Sequence, residues 1–535
     1  MSVIAKNPIL PGFYPDPSIC AVGEDFYLVN SSFAYFPGLP IMHSRDLAHW
    51  EQIGNAMDRN SQLPLEKADV SQGLFAPTIR YHDGLFYIVC TNISHGGNFV
   101  ITAEEPEGPW SEPHYLAGAD GIDPSLFFDE DGKCYYTGTH PNKDGCRYNG
   151  DYYIYVQELD LTTFTLVGER RDIWNGAMRD CQWPEGPHLY KVDDTYYLIH
   201  AEGGTGPNHA VCVARSGEVF GPYETNFNNP IFTHRHLGKR YPIQYVGHAD
   251  LVQTIEGDFY MVMLATRPVR GKTTMGRETF LARVEFEDGW PVVNPGLGIL
   301  SDELVVNLPE YEPVCDYGLT PMSFKQYHFA RLQSLPFSFL TLRNPAGDLY
   351  RLDENGLNLK CERGKTSLLC IRQDSHTFEA SVVLNAKELF DGALAGLILF
   401  QNTENHLRIE YAGFRATAIL TQGGVETRIA SEFVTDTTAT LIISVSGTQA
   451  ELLVGAGDLV HTLAEEVDVS RLSTEDAGGF VGCTIGMYAS MDPDVPSNPA
   501  VSGDVYACFK TFSYRPFEPS AEEDGEEETA GETEE

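Results

Sequence analysis

Basic side chains are scarce in this chain. Lys and Arg together number 36 against 76 Asp and Glu, for a formal net charge of −40. An acidic body of this kind repels nucleic acid and anionic membrane surfaces, so neither is an expected partner, and a neutral substrate suits it. Paired cysteines are also missing. The 11 cysteines stand singly with no Cys-x-x-Cys, and Cys20, Cys90 and Cys212 sit among apolar residues. Reduced, buried thiols are expected rather than a disulfide framework. No apolar run approaches a membrane span, and "MSVIAKNPILPGFYPD" at the N-terminus has neither the apolar core nor the cleavage site of a signal peptide. A soluble, cytoplasmic protein is expected. Also absent are Gly-x-Ser-x-Gly, His-Glu-x-x-His and a phosphate loop.

What the chain does contain is a repeat rich in Tyr, Phe, Gly and Pro. Five stretches follow one plan: "DPSICAVGEDFY", "APTIRYHDGLFY", "DPSLFFDEDGKCYY", "GPHLYKVDDTYY" and "ADLVQTIEGDFY". Each opens on a small or acidic corner, runs through a short apolar strand and a turn, and ends on an aromatic that starts a second strand. The closing tyrosines, from Tyr27 to Tyr260, recur 49 to 63 residues apart. Periodicity on this scale with several strands per unit predicts a five-bladed β-propeller over 1–305.

In a propeller the first strand of every blade lines the axis, so equivalent positions form a ring. The predicted corners are Asp16, Ala76, Asp123, Gly186 and Ala249, with Glu185 and His248 immediately before two of them. A lone Asp-Pro is a turn former. Three carboxylates in register are different, because crowding them costs stability through repulsion and desolvation. Carboxyl groups facing a neutral substrate suit glycoside hydrolysis, in which one protonates the leaving oxygen and the other activates water or attacks the sugar.

On the segments "NPILPGFYPDPSI", "FAPTIRYHDGLFYI", "EGPHLYK", "GHADLVQT" and "GRETFLARVEFEDGWPVV", the chain resembles glycoside hydrolase family 43, close to its two-domain β-xylosidases. The resemblance implies an inverting propeller hydrolase with Asp16 as general base, Glu185 as general acid and Asp123 tuning the acidity of Glu185. It implies that Arg277 reaches sugar hydroxyls and that Phe33 and Phe75 wall the sugar. Phe75 departs from the Trp usual there and leaves a smaller platform. It also implies that His248 lies at the pocket floor, where some relatives hold water or a divalent cation such as calcium. No cofactor is expected to be required. Read alone, Arg277 is equally a strand-end charge, His248 a core histidine, and both phenylalanines blade-core aromatics.

After Trp290 the pattern breaks. Residues 306–323 read as a linker hugging the propeller. Over 324–517, short alternating strands such as "HTFEASVVL", "LAGLILFQ" and "TATLIISVSG" predict a β-sandwich, packed on the propeller in relatives, with a free carbohydrate-binding module as the rival reading. The segment 518–535, ten acids and no base, reads as a disordered solubilising tail. The fold class is thus all-β, a five-bladed propeller with a C-terminal sandwich. The expected activity is release of D-xylose from non-reducing ends of short β-1,4-xylo-oligosaccharides. The alternatives are an α-L-arabinofuranosidase, or both activities together, and a non-catalytic sugar-binding propeller. Homo-oligomerisation is left open.

Overall fold

A computed structural model describes residues 2–313, 323–345, 347–389, 392–456, 459–494 and 504–517. The tail predicted over 518–535 and residues 314–322 of the predicted linker lie outside this set. Five four-stranded antiparallel sheets make up the N-terminal part, each with its strands in chain order. Their first strands are Ser18–Val22, Leu74–His82, Ser125–Phe128, Glu185–Val192 and Gln244–Gln253. These five strands contact one another in a closed circle, with the first against the last. The architecture is the expected five-bladed propeller. Local sequence dictates each hairpin. In the first blade Val22 pairs with Asp25 across a two-residue turn, and Gly23 takes the left-handed φ of +63° that such a turn demands.

Among the described residues no strand is exchanged between the first and last blades; a backbone bridge between Leu10 and Thr279 and a set of side-chain bonds close the ring. Ser18 Oγ and Ile19 N both donate to Asp250 Oδ2, at 2.6 and 3.0 Å. Asn30 Nδ2 donates to Thr279 Oγ1 at 3.0 Å. The strand Val3–Lys6 pairs with Glu303–Val306, which ties the chain's start to the end of the propeller and gives regular structure to a stretch with no sequence period. Within the channel, Arg80 grips Asp250 bidentately at 2.8 and 3.0 Å, and Arg80 Nη2 also meets His188 Nδ1 at 3.0 Å. The hydroxyl of Tyr190 donates to the same carboxylate. This buried knot plugs the axis one step inward from the corners.

The C-terminal part is a sandwich of an eight-stranded and a six-stranded antiparallel sheet. Its core includes Phe378, Leu397, Leu441, Ile485 and Phe512, all buried between the two layers. The sandwich packs on the propeller rather than standing free. Thr341–Leu342 pairs with Tyr35–Phe36 of the first blade. One apolar cluster joins Phe13, Phe33 and Tyr35 to Leu340, Ile398 and Tyr488. Gly276 comes so close to the segment before Thr484–Met491 that a Cβ there would lie 2.7 Å from Gly482 N. Helix is confined to short pieces among the described residues, and none is long and apolar enough to cross a membrane.

Candidate active site

The corner residues share one backbone geometry. Asp16, Ala76, Asp123, Gly186 and His248 all take positive φ, at +53°, +23°, +55°, +57° and +48°. Asp tolerates this region better than most residues, and Gly takes it without cost. The expected fifth corner, Ala249, is corrected by one residue to His248. The cause is turn length. Tyr260 pairs with Val252, eight residues back, whereas Tyr27 pairs with Cys20, seven residues back, so the turn of the last blade holds one residue more. Counting back from the tyrosine therefore slips the register. The corrected position puts His248 in the ring itself, equivalent to Asp16 and Asp123.

All seven residues singled out from the sequence line one cavity of about 450 Å³: Asp16, Phe33, Phe75, Asp123, Glu185, His248 and Arg277. That volume lies within the range of small-molecule sites. Asp16 is buried and fully engaged. Ser31 Oγ donates to its Oδ2 at 2.6 Å, and Arg277 Nη1 donates to its Oδ1 at 2.7 Å. Burial pushes the Asp16 carboxyl up, but Arg277, His248 and the Ser31 hydroxyl outweigh it and hold the group below its ordinary value. Asp16 is thus an ionised carboxylate.

Glu185 stands in the opposite condition. Burial, followed by the charges of Asp123 and Asp16, drives its carboxyl well above the ordinary range, and Arg277 only partly offsets this. Burial also raises Asp123 to about 6, against the pull of His248 and with Asp16 adding to the rise. Asp123 Oδ2 accepts from Gly186 N at 3.2 Å, which fixes it beside the residue that follows Glu185. Asp123 and Glu185 titrate as a pair, and their protons belong to the pair. One cavity therefore holds an ionised carboxylate and a protonated carboxyl, the division of labour that acid–base hydrolysis requires.

His209 adds a neutral imidazole to the wall. Its Nδ1 donates to Tyr245 O at 2.9 Å, and burial holds the ring's pKa down at about 3. The carboxylates of Asp16 and Asp123 lie within electrostatic reach of His248, and His248 belongs to no cluster of three metal-ligating groups among the described residues. Calcium takes six to eight oxygens, so such a cation there would have to keep most of its water.

The aromatic wall has three rings. Phe33 and Phe75 meet edge to face at 5.2 Å, and Phe480 of the sandwich lies 6.2 Å from Phe33, nearly parallel, and 5.7 Å from Phe75. The Arg277 guanidinium flanks both Phe33 and Phe480, at 5.8 and 5.6 Å. Sequence reasoning missed Phe480, because nothing in "GGFVGCTIGMYAS" separates its Phe from a core aromatic. It also missed Trp183 and Tyr152, which line the same cavity. Trp183 packs in a slot between Gly150 and Gly204, where a Cβ would come within 2.9 and 2.7 Å of the ring. Two glycines far apart in sequence give no signal of this without the fold.

The chain matches the profile "Glycosyl hydrolases family 43" over residues 5–291 and the profile "Beta xylosidase C-terminal Concanavalin A-like domain" over residues 326–515. It is 51% identical to a xylosidase/arabinosidase of Butyrivibrio fibrisolvens, across 93% of this chain and 98% of that protein. It is 37% identical to a non-reducing end α-L-arabinofuranosidase of Bacteroides ovatus, across 92% and 93%. The crystal structure of a xylan β-1,4-xylosidase from Bacillus halodurans superposes with a TM-score of 0.86 at 32% identity, covering 96% of this chain and 100% of that one. With matching profiles over both parts and relatives aligned nearly end to end, the chain belongs to glycosyl hydrolase family 43.

Proposed function

We propose that this glycosidase is an exo-acting, inverting β-D-xylosidase that releases xylose from non-reducing ends of short β-1,4-xylo-oligosaccharides and also cleaves α-L-arabinofuranosides. The observation that carries the reading is the split in acidity between Asp16 and Glu185 inside one cavity. Asp16, held ionised, takes a proton from water as the water attacks the anomeric carbon. Glu185, held protonated, delivers its proton to the departing glycosidic oxygen. Asp123 keeps Glu185 protonated through its charge and the Gly186 amide. Arg277 orients Asp16 and presents donors to sugar hydroxyls, while Phe33, Phe75 and Phe480 pack against the apolar face of the ring.

The exo mode is supported by the closed geometry. The Arg80–Asp250 knot fills the axis and Phe480 of the sandwich adds a wall to the cavity, an arrangement that suits a chain end better than a chain middle. Xylose and arabinofuranose present similar hydroxyls, and a pocket separates such neighbours only modestly. The names of the two relatives reflect both activities. A water-rich cation at His248 would be an accessory and takes no part in these steps. The described cysteines are free and, apart from Cys146, buried. This supports action in a reducing compartment on imported oligosaccharides.

The deciding experiment compares xylobiose, nitrophenyl xyloside and nitrophenyl arabinofuranoside on the parent, Asp16→Ala and Glu185→Ala. The anomer first released is read by proton NMR. Turnover of both aryl glycosides with inversion supports the reading, and retention of configuration overturns it. A purely sugar-binding propeller would bind xylobiose and turn over none of the three. Such a protein has no use for two carboxyls driven apart in acidity.

A further inference from the structure

We infer that the fourth blade contains a buried site for a borderline-soft divalent cation, zinc by the chemistry of its donors, behind the wall of the active-site cavity. His200, Glu202 and Cys212 are all buried, and their ligand atoms lie within 4.8 Å of one another. The strand Thr195–Glu202 puts His200 and Glu202 on one face, two residues apart, and Cys212 sits directly across from His200 on the neighbouring strand. A second thiol, that of Cys181, reaches the Glu202 carboxylate from the loop before the blade. His200, Glu202 and Cys212 offer one nitrogen, one carboxylate oxygen and one sulfur, and the Cys181 thiol, beside Glu202 but outside that group of three, would complete the four ligands that zinc takes.

Two further observations favour a cation over a plain hydrogen-bonded cluster. The buried Glu202 carboxylate accepts from Ala177 N at 2.6 Å and meets His200 Nε2 at 2.9 Å, and among the described residues no lysine or arginine pairs with it. These hydrogen bonds leave the carboxylate's negative charge in place, and a divalent ion would neutralise it. His200 turns Nε2 to Glu202, while its Nδ1 is buried without a hydrogen-bond partner. On binding, the two thiols lose their protons to solvent and become thiolates. The ion would then pin the loop ending at Cys181, two residues before Trp183, to the strand that leads into the pocket residues Gly204 and Thr205.

The test uses the full-length protein, purified without chelator and dialysed against zinc or cobalt(II). About one equivalent of zinc per chain by mass spectrometry, and a cobalt(II)–thiolate charge-transfer band, are expected. Cys181→Ser and Cys212→Ser should each weaken zinc binding at least about 10-fold and abolish the band. Cys146→Ser, at the exposed cysteine, should change neither. The unmodified protein decides the matter even if a variant fails to fold. Absence of the cobalt–thiolate band in the parent overturns the proposal, as does zinc retained equally by the double serine variant, which would place the ion elsewhere.

Discussion

Arg277 is the strongest of the groups that hold the Asp16 carboxyl down, and its removal leaves burial opposed only by His248, the Ser31 hydroxyl and His209. The ionisation of Asp16 then moves to higher pH. Because the general base must be ionised to work, the acidic limb of the kcat/KM profile in Arg277→Ala should shift upward in pH. A profile on an aryl xyloside reads this directly, and an unmoved limb would detach that limb from Asp16. Asp123→Asn acts on the other limb. It removes the first-named charge that raises Glu185, so Glu185 gives up its proton at lower pH and the alkaline limb moves down. Glu185→Gln separates protonation from binding. It should cost about 10²–10⁴ in kcat on xylobiose and far less on a dinitrophenyl xyloside, whose leaving group needs no proton. Equal losses on both substrates would remove Glu185 from the acid role.

At the scale of elements, one short segment of the sandwich governs the pocket mouth. Its anchors are Glu475, which accepts from Thr273 N and Oγ1 at 2.7 and 2.8 Å, and Cys483 N, which donates to Thr274 O at 2.7 Å. Between them Phe480 N donates to Ser71 Oγ at 2.9 Å. Phe480→Ala should raise KM for xylobiose by about 2- to 10-fold, the worth of one aromatic contact, while leaving the melting temperature nearly unchanged. Gly276→Ala should do the reverse and destabilise the protein, because Gly276 has φ +71° and a Cβ would press on Gly482. Thermal unfolding checks this. Such contacts were beyond reach of sequence reading, since Phe480 and Gly482 lie from about two hundred to more than four hundred residues from the groups they meet. The blades were legible because each repeats a corner, a strand and an aromatic, and that repeat brought Asp16, Asp123 and Glu185 together before any coordinates. It slipped at His248, where a longer turn altered the count. In the sandwich, the strands Lys325–His328, Tyr350–Asp353, Gly356–Lys360, Ser367–Arg372, Arg415–Gln422, Val425–Phe433 and Leu459–Asp468 escaped notice. Val425–Phe433, at a sheet edge, is exposed at every position but one and so carries no buried-face alternation.

At the scale of the whole molecule, the ring depends on Asp250. Four partners converge on its carboxylate: Arg80, Ser18, Ile19 N and Tyr190. Asp250→Ala would leave Arg80 buried without its counter-charge and should destabilise the protein by about 3–5 kcal/mol. Denaturant melts of parent and variant measure it. The pH dependence has a definite sign. Burial raises the Asp250 carboxyl, but Arg80 and His188 dominate and hold it well below the ordinary value. Its contribution is therefore complete above about pH 4, where the unfolded carboxyl titrates, and fades as pH falls below that.

Phe480 belongs to one folded unit and the carboxyls, with Phe33, Phe75 and Arg277, to the other, so one wall of the pocket is inherited through a different stretch of the gene from the chemistry. Chimeras that graft a relative's C-terminal half onto this N-terminal half should retain the reaction and trade its sugar preference, which makes the seam between the two a natural place for new selectivities to arise by recombination.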